Sequence, residues 1–288
     1  GLVYVVGGRD VTEGTSMRSV EVFDPVTNDT QRLANLTVAR YGHTAVTFNN
    51  ELLVCGGWSD SAPESAARPI LESCERYDPI ANRWHLVTSM PSPRYNHAAA
   101  MLHDRMFLVG GWNGDPYRGG FYNELIIYDP HDHSWTRGPS MLKSRSFVDA
   151  LAVDGHLLVC GSARTYHQID EQLSPNSSPI RFDASCEIYS PYTSSWMLLM
   201  PLVNHRWQPQ LVQFGDEIFI FGSFDISGET SSPPERIDIA RNHSQLLVQQ
   251  PLHTACMGYS ALAIEPEQEE PGWWNRLYPG RALFHVAR

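Results

Sequence analysis

Short apolar runs separated by polar stretches recur along the chain, and five of them end in Gly-Gly or Gly-Ser. These runs are LVYVVGG, LLVCGG, MFLVGG, HLLVCGS and EIFIFGS, and their first glycines are Gly7, Gly56, Gly110, Gly161 and Gly222. Apolar runs of this length bounded by turn residues are typical of β-strands. A strand motif that returns at such regular positions along a chain predicts a repeat architecture.

Each repeat has the same internal order after its glycines. A polar loop leads to a strand that ends in an aromatic residue and Asp-Pro, and a tryptophan follows seven residues after the aromatic residue in three repeats. The aromatic residues are Phe23, Tyr77, Tyr128 and, before a degenerate Ser-Pro, Tyr189; the tryptophans are Trp84, Trp135 and Trp196, with Thr30 in the first repeat. Proline ends a strand because it lacks the N–H that a ladder needs. The aromatic residues are suited to packing between adjacent sheets.

An arginine stands sixteen residues before the next glycine in four repeats, at Arg40, Arg94, Arg145 and Arg206. The combination of Gly-Gly, Tyr-Asp-Pro, Trp and Arg resembles the Kelch repeat over about residues 1–264. The resemblance implies an all-β propeller of four-stranded blades. The fifth repeat departs most, since Ile237-Asp238-Ile239 has neither the aromatic residue nor the proline.

Five glycine motifs predict five blades, with six as the alternative because six is common in Kelch domains of this length. The chain begins in the second strand of a blade, and residues 256–264 look like the first strand of the other repeats. By resemblance, this C-terminal strand completes the N-terminal blade and removes an open edge. We expect the propeller to cover residues 1–264. The acidic and aromatic tail, residues 265–288, is expected to be partly packed or disordered.

Charge and composition exclude several classes of function. The net charge of −11 argues against nucleic acid, because phosphate binding needs a basic surface. No apolar stretch approaches the length of a membrane span, and no signal-like leader precedes the first strand. The five cysteines include no CxxC pair. We expect all five to be reduced, in a cytoplasmic location or in the nucleus or on the cytoskeleton.

Catalytic motifs are missing from the sequence. It contains no Gly-x-Ser-x-Gly, no phosphate-binding glycine loop before a helix and no His-Glu-x-x-His. His43 and His97 share one repeat position, which favours a packing role, and the His131–His133 turn offers no third metal ligand. We therefore expect no enzyme activity, no metal and no cofactor. Copper oxidases that carry a similar propeller are the enzymatic alternative.

Bulky aromatic residues follow the arginines and the glycines, in loops that line one face of the ring in similar Kelch domains. The pattern of the arginines is equally consistent with two roles: they could tether strands, or they could contact a partner. Tyr, Trp and Arg are enriched at binding hot spots, so we predict a partner-binding face. The residues predicted for it are Arg9, Arg40, Tyr41, Trp58, Arg94, Tyr95, Asn96, Trp112, Asn113, Arg145, Ser146, Phe147, Arg164, Arg206, Trp207, Phe224 and Tyr259.

Resemblance also implies a function. Similar Kelch domains follow BTB and BACK domains in adaptors of Cullin-3 ubiquitin ligases, where the propeller binds a short peptide degron of the substrate. We therefore expect a protein or peptide partner, and a Cullin-3 ligase reached through an upstream BTB domain. A cytoskeletal, actin-binding Kelch scaffold is the alternative. Neither function needs nucleic acid or a membrane.

Overall fold

A computed structural model of the 288-residue chain describes residues 1–10, 12–49, 51–61, 69–115, 120–165, 181–182, 185–199, 201–204, 206, 208–222 and 233–247. The described residues form twenty β-strands arranged in five antiparallel sheets. No helix in this described part is long and apolar enough to cross a membrane.

The sheets follow the chain in order and are called blades 1 to 5. Blade 1 contains β1 (Val3–Val6), β2 (Val20–Asp24) and β3 (Asp29–Arg32). Blade 2 contains β4 (Thr44–Phe48), β5 (Glu51–Cys55), β6 (Cys74–Asp78) and β7 (Arg83–Val87). Blade 3 contains β8 (Ala98–Leu102), β9 (Arg105–Val109), β10 (Leu125–Asp129) and β11 (Ser134–Arg137).

The last two blades continue the pattern. Blade 4 contains β12 (Arg145–Val153), β13 (His156–Thr165), β15 (Cys186–Ser190) and β16 (Ser195–Leu198), and the short β14 (Arg181–Phe182) pairs with the end of β13. Blade 5 contains β17 (Gln210–Phe214), β18 (Glu217–Phe221), β19 (Glu235–Asp238) and β20 (His243–Leu246). In blades 2, 3 and 5 each strand pairs with the next one along the chain, and blade 4 follows the same meander apart from the short β14.

The first strands of blades 2 to 5 pack against one another in sequence, β4 on β8, β8 on β12 and β12 on β17. They are therefore the inner strands, and the last strand of each blade is the outer edge. This arrangement is a five-bladed β-propeller, and the prediction of five blades is confirmed. Blade 1 has three described strands, of which β1 corresponds to the second strand of the other blades. The predicted closing strand, the tail and the alternative sixth blade lie outside the described residues.

Buried apolar side chains fill the spaces between adjacent blades, and the repeated tryptophans seal the outer part of these spaces. Trp84 stands directly across from Tyr77 on the neighbouring strand, with ring centroids 5.2 Å apart. Its indole N–H donates to the carbonyl of Ala34, in the segment that leaves blade 1, at 2.9 Å. Trp135 and Trp196 make the equivalent bonds to Thr88 and Pro139. The predicted packing of the tryptophans between adjacent sheets is confirmed.

The prediction that all cysteines are reduced is wrong for four of them. Cys55 is bonded to Cys74, and Cys160 is bonded to Cys186. In both blades the two residues face each other across the second and third strands, with Cα atoms 4.2 Å apart. Such close facing positions bring two side chains within bonding reach, which the spacing along the sequence does not reveal. Cys256 lies outside the described residues.

Candidate protein-binding face

The glycine pairs bring the loops of the candidate face together at one end of the ring. Gly57 has φ of 100°, and a Cβ atom there would lie 2.8 Å from the carbonyl oxygen of Tyr41. This close approach lets Trp58 and Tyr41 exchange two backbone hydrogen bonds, of 2.8 and 3.0 Å. Gly111 serves the same purpose in blade 3, where Trp112 exchanges backbone bonds with Tyr95. In these two blades the residue after the glycine pair is therefore fixed beside the residue after the arginine.

These residues form a continuous row of aromatic rings across blades 2 and 3. Ring centroids are 6.4 Å apart for Tyr41 and Trp58, 5.4 Å for Trp58 and Tyr95, and 5.4 Å for Tyr95 and Trp112. Phe121 extends the row, 6.4 Å from Trp112. Tyr95 is buried within it, whereas the other four remain partly exposed. We call these five residues the aromatic row.

Polar contacts fix one end of the aromatic row. The exposed guanidinium group of Arg9 lies 5.4 Å from the ring centroid of Tyr41. The indole N–H of Trp58 donates to the carboxylate of Asp60 at 3.1 Å, and the same carboxylate accepts the backbone N–H of Ser16 at 2.7 Å. Asp60 therefore ties the face loops of blades 1 and 2 together. An acidic residue in a polar loop carries no sequence signal for this role.

Burial raises the pKa of both tyrosines of the row further above neutral pH. Burial, followed by the proximity of Tyr41, raises the pKa of Tyr95 to about 12. Burial also raises the pKa of Tyr41, although the charge of Arg9 opposes the shift. Both hydroxyl groups therefore stay protonated at neutral pH and offer hydrogen-bond donors, not nucleophiles. The row is suited to binding by apolar contact and hydrogen bonds.

An inner rim of backbone hydrogen bonds lies beside the aromatic row. Asn96 donates its N–H to the carbonyl of Gly42 at 2.7 Å, and Phe147 donates to the carbonyl of Asn96 at 2.9 Å. These three residues hold the same repeat position, two after the arginine, and all have positive φ. Phe147 has φ of 54°, an uncommon conformation for a bulky side chain. Ser146 is buried and its hydroxyl donates to the carbonyl of Asn96 at 3.4 Å, so it supports the rim from within.

The four repeat arginines do not reach this face, which corrects their prediction as partner contacts. Arg40, Arg94, Arg145 and Arg206 are buried with 0, 0, 0 and 1% exposure. They pair with Glu75, Glu124, Glu187 and Glu235 at 2.6 to 2.9 Å. Each also donates to the carbonyl of the glycine sixteen residues later. Of the two interpretations of these arginines, strand tethering is the one that the structure supports.

The remaining predicted residues divide into two groups. Asn113 accepts the backbone N–H of Asp115 at 2.8 Å and shapes the loop that carries Trp112 and Phe121. Phe121 was missed because it stands before the strand and outside the repeat motif. Arg164 is described only as backbone at the end of β13, and Trp207, Phe224 and Tyr259 lie outside the described residues.

Elsewhere among the described residues, one cleft offers a weaker site. No group of three or more His, Cys, Asp or Glu side chains within the described ranges is arranged to hold a metal ion. A cleft of about 390 Å³ opens between blades 4 and 5 at the opposite end of the ring. Its charges largely pair with each other, Arg236 with Glu217 and Arg241 with Asp238. The aromatic row is therefore the better candidate for recognition.

Comparison with known families agrees with this architecture. Residues 1–223 match the family model described as the KLHDC2/KLHL20/DRC7 Kelch-repeats domain. The chain belongs to the Kelch-repeat family. In this Kelch domain the matched region contains the aromatic row, the inner rim and all four buried arginines.

Relatives of this Kelch domain include Kelch-like protein 25 of Xenopus tropicalis, 25% identical over 224 residues, which cover 77% of this chain and 35% of the relative. Alpha-scruin of Limulus polyphemus is 24% identical over 271 residues, covering 92% of this chain and 28% of the relative. Kelch repeat and BTB domain-containing protein 12 of Homo sapiens is 27% identical over 177 residues, covering 55% and 28%. The chain thus spans about a third of the length of these relatives, or less.

The solved structure of YjhT shares the fold, with a TM-score of 0.68 and 15% identity over 86% of this chain and 81% of that one. Kinship with Kelch-like proteins and scruin supports a protein-interaction role for this domain. It is also consistent with a domain that is not an enzyme.

Proposed function

We propose that this Kelch domain recognises a peptide segment of another protein through the aromatic row, as the substrate-recognition module of a Cullin-3 ubiquitin-ligase adaptor. The observation that carries the proposal is the row itself. Four of its five rings are partly exposed, although all five are held by backbone bridges and ring contacts. A rigid aromatic surface binds with little loss of side-chain entropy, which is why Trp and Tyr are frequent hot spots.

The chemistry of the face suggests the chemistry of its ligand. The row offers apolar ring surface and neutral hydroxyl donors, and a ligand therefore needs at least one apolar side chain to cover it. Six arginines are predicted for this face, and the side chains of five of them are described. Of these five, Arg9 is exposed and the other four are buried. Its guanidinium group, beside Tyr41, favours a carboxylate on the ligand at that end of the row. We expect an extended or turn-shaped peptide with one acidic and one apolar anchor.

Relatives support the setting of this recognition. One relative is named for a BTB domain together with its Kelch repeats, and the chain spans only 28% of that protein. In an adaptor of this kind the propeller binds the substrate, while an upstream BTB domain recruits Cullin-3 and the ligase chemistry takes place on other subunits. This role would place the protein in the cytoplasm or nucleus.

The binding test begins with a partner and ends with single substitutions. Affinity capture with the full-length protein, with and without a proteasome inhibitor, supplies the partner and a peptide from it for calorimetry. We expect Trp58→Ala and Trp112→Ala each to weaken the peptide by about 2 kcal/mol, roughly thirtyfold in Kd, because each removes a large anchor. The melting temperature should change little, since both side chains are partly exposed.

Tyr192→Ala is the matched control, because Tyr192 is an aromatic residue of 74% exposure in a turn at the opposite end of the ring. The control should bind like the native domain. Full affinity in both tryptophan variants, with loss of binding in the control, would refute the aromatic row as the binding face. Absence of Cullin-3 from the captured complexes, together with cosedimentation on actin filaments, would replace the adaptor role with a scaffold role.

A further inference from the structure

The two cysteine pairs occupy one repeat position, at the base of the loops that form the candidate face. Cys55 and Cys160 each directly precede the glycine motif, and their partners Cys74 and Cys186 each open the third strand. Blades 1 and 3 have aliphatic residues at these positions. These are Val6 facing Val20 and Val109 facing Leu125. Each of blades 1 to 4 therefore has either two facing cysteines or two facing aliphatic residues there.

The cysteine pairs coincide with the longest face loops. The two cysteines are separated by 19 residues along the chain in blade 2 and by 26 in blade 4. The facing aliphatic residues of blades 1 and 3 enclose shorter stretches, from Val6 to Val20 and from Val109 to Leu125. The connection in blade 5, from Ile220 to its facing residue Glu235, is also shorter than either cysteine loop.

The length of a loop decides how strongly a covalent link at its base restricts it. A longer loop loses more conformational freedom when its ends are held together, so a covalent link at its base restricts it most. The bonds therefore stand in the two blades where a link has the largest effect.

The buried arginines hold the cysteines face to face by separate bonds. Arg40 donates to the carbonyls of Gly56 at 2.7 Å and Ser73 at 3.1 Å, the neighbours of Cys55 and Cys74. In blade 4, Arg145 makes the equivalent bonds to Gly161 and Ser185, at 2.8 and 2.7 Å. These clamps keep the two strands in register whether or not the sulfur atoms are bonded, so both redox states fit the same fold.

We propose that Cys55–Cys74 and Cys160–Cys186 are reversible oxidation sites that set the rigidity of the two longest loops of the face. The inference deepens the proposed function and rests on it for its consequence, because the blade 2 loop carries Trp58. The oxidant is a small disulfide such as glutathione disulfide. One cysteine thiolate attacks it, releases one glutathione thiol and forms a mixed disulfide. The facing cysteine then displaces the second glutathione, so the protein loses two hydrogens per pair and one glutathione disulfide becomes two thiols.

Burial of the cysteines, at 0 to 1% exposure, makes the exchange depend on local opening of the loop above each pair. Oxidation then closes the base of the loop and disfavours that opening. In blade 2 the closed loop holds Trp58 and its bridging partner Ile70 in place. Reduction leaves the strands clamped by Arg40 but frees residues 56–61 and 69–73 from the covalent link, so the order of the aromatic row depends on the thiol–disulfide balance.

The test compares the domain equilibrated in glutathione disulfide with the domain equilibrated in reduced glutathione. Intact mass after alkylation of free thiols should show four fewer alkylated cysteines in the oxidised sample. Hydrogen exchange at residues 56–61 and 69–73 should be slower in the oxidised sample, on the order of three- to tenfold. The double variant Cys55→Val, Cys74→Val is the matched control, since blade 1 carries valines at these positions. It should lose the redox dependence of the blade 2 loop and keep that of residues 185–187.

Two results would overturn the proposal. Full alkylation of all cysteines after prolonged equilibration with glutathione disulfide would show that the pairs do not form. Equal hydrogen exchange of the blade 2 loop in both states would show that the bond does not restrict it. Both readouts are made without a partner. A domain that passes them but binds its peptide equally well with Trp58→Ala would refute the proposed binding face and leave the oxidation sites standing.

Discussion

His97 is an imidazole in the interior of the propeller, beneath the glycine turn of blade 2. It is 5% exposed, and a Cβ atom on Gly56 would lie 2.7 Å from its ring. Burial, followed by the charge of Arg94, holds its pKa well below the usual value. His43 lies in the equivalent position beneath the glycine turn of blade 1, where burial lowers its pKa to about 3. Both rings are therefore neutral parts of the core, in agreement with the packing role predicted for them.

Acid should destabilise the domain through these histidines. His97→Val tests this, and valine is chosen because Val148 holds the equivalent repeat position in blade 4. The unfolded histidine takes up a proton below about pH 6.5, whereas the folded one does not, so stability is lost as the pH falls. From pH 7.5 to 5.5 the stability of the variant relative to the native protein should rise by about 1.4 kcal/mol. Urea denaturation at both pH values measures it. An unchanged difference would mean that His97 titrates normally in the folded state.

Much of the chemistry at the scale of single residues was readable from the sequence, and the orientation of side chains was not. The aromatic residues after the glycines were predicted to share one face, and Tyr41, Trp58, Tyr95 and Trp112 do so. The arginines stand next to these residues in sequence but point inward, because each finds a carboxylate in the interior. A signal for this existed, since Glu75, Glu187 and Glu235 hold one shared position near the start of the third strand. The facing cysteines required the strand register, which no spacing along the chain provides.

Buried ion pairs join the elements of a blade to the segment that enters it. Arg145 bonds Glu187 on β15 at 2.9 Å and the carbonyls on either side of the Cys160–Cys186 pair. Glu187 also accepts the backbone N–H groups of Leu142 and Lys143. One carboxylate and one guanidinium group thus connect the inter-blade segment to two strands, through bonds made by fully buried side chains.

Arg145→Met should therefore destabilise the domain by about 3–5 kcal/mol, because it leaves the Glu187 carboxylate buried without its cation. Arg236→Met is the control: its pair with Glu217 is shorter, at 2.7 Å, but both side chains are 41–50% exposed. The control should cost about 1 kcal/mol or less, because water already screens the pair. Chemical denaturation of both variants gives the comparison. Equal losses would contradict the distinction between buried and exposed pairs.

Strands were the elements that the sequence predicted best, because apolar alternation and Asp-Pro turns act locally. The fifth repeat lost its motif, yet β19 still forms at Glu235–Asp238, since Ile237 packs into the core and Glu235 pairs with Arg206. The long β12 and β13 of blade 4 were not anticipated. Their extension depends on pairing with each other past a register shift between Arg145 and Val148, which is a property of the sheet and not of either segment.

The whole ring depends on what completes blade 1. Its innermost described strand, β1, occupies the second position of a blade, and none of the described strands takes the first position inside it. We expect residues 256–264 to supply that strand. A chain truncated after residue 255 should then unfold at a lower temperature and less cooperatively, because the open edge separates blade 1 from its neighbour.

Scanning calorimetry decides this prediction, with a chain truncated after residue 270 as the control. The control retains the proposed closing strand and should behave much like the full chain. An unchanged midpoint in the shorter chain would show that the ring does not need residues 256–264.

The two disulfides also give the propeller a mechanical property. They close stretches of 19 and 26 residues within single blades, and neither bond connects one blade to another. Under tension applied at the chain ends the blades can separate, but the residues enclosed by each disulfide cannot be pulled straight. The two bonds therefore remove roughly 65 Å and 90 Å from the length of the fully extended chain. The oxidised molecule would thus stretch less than the reduced one before bearing load along its backbone, which makes its extensibility a readout of the thiol balance around it.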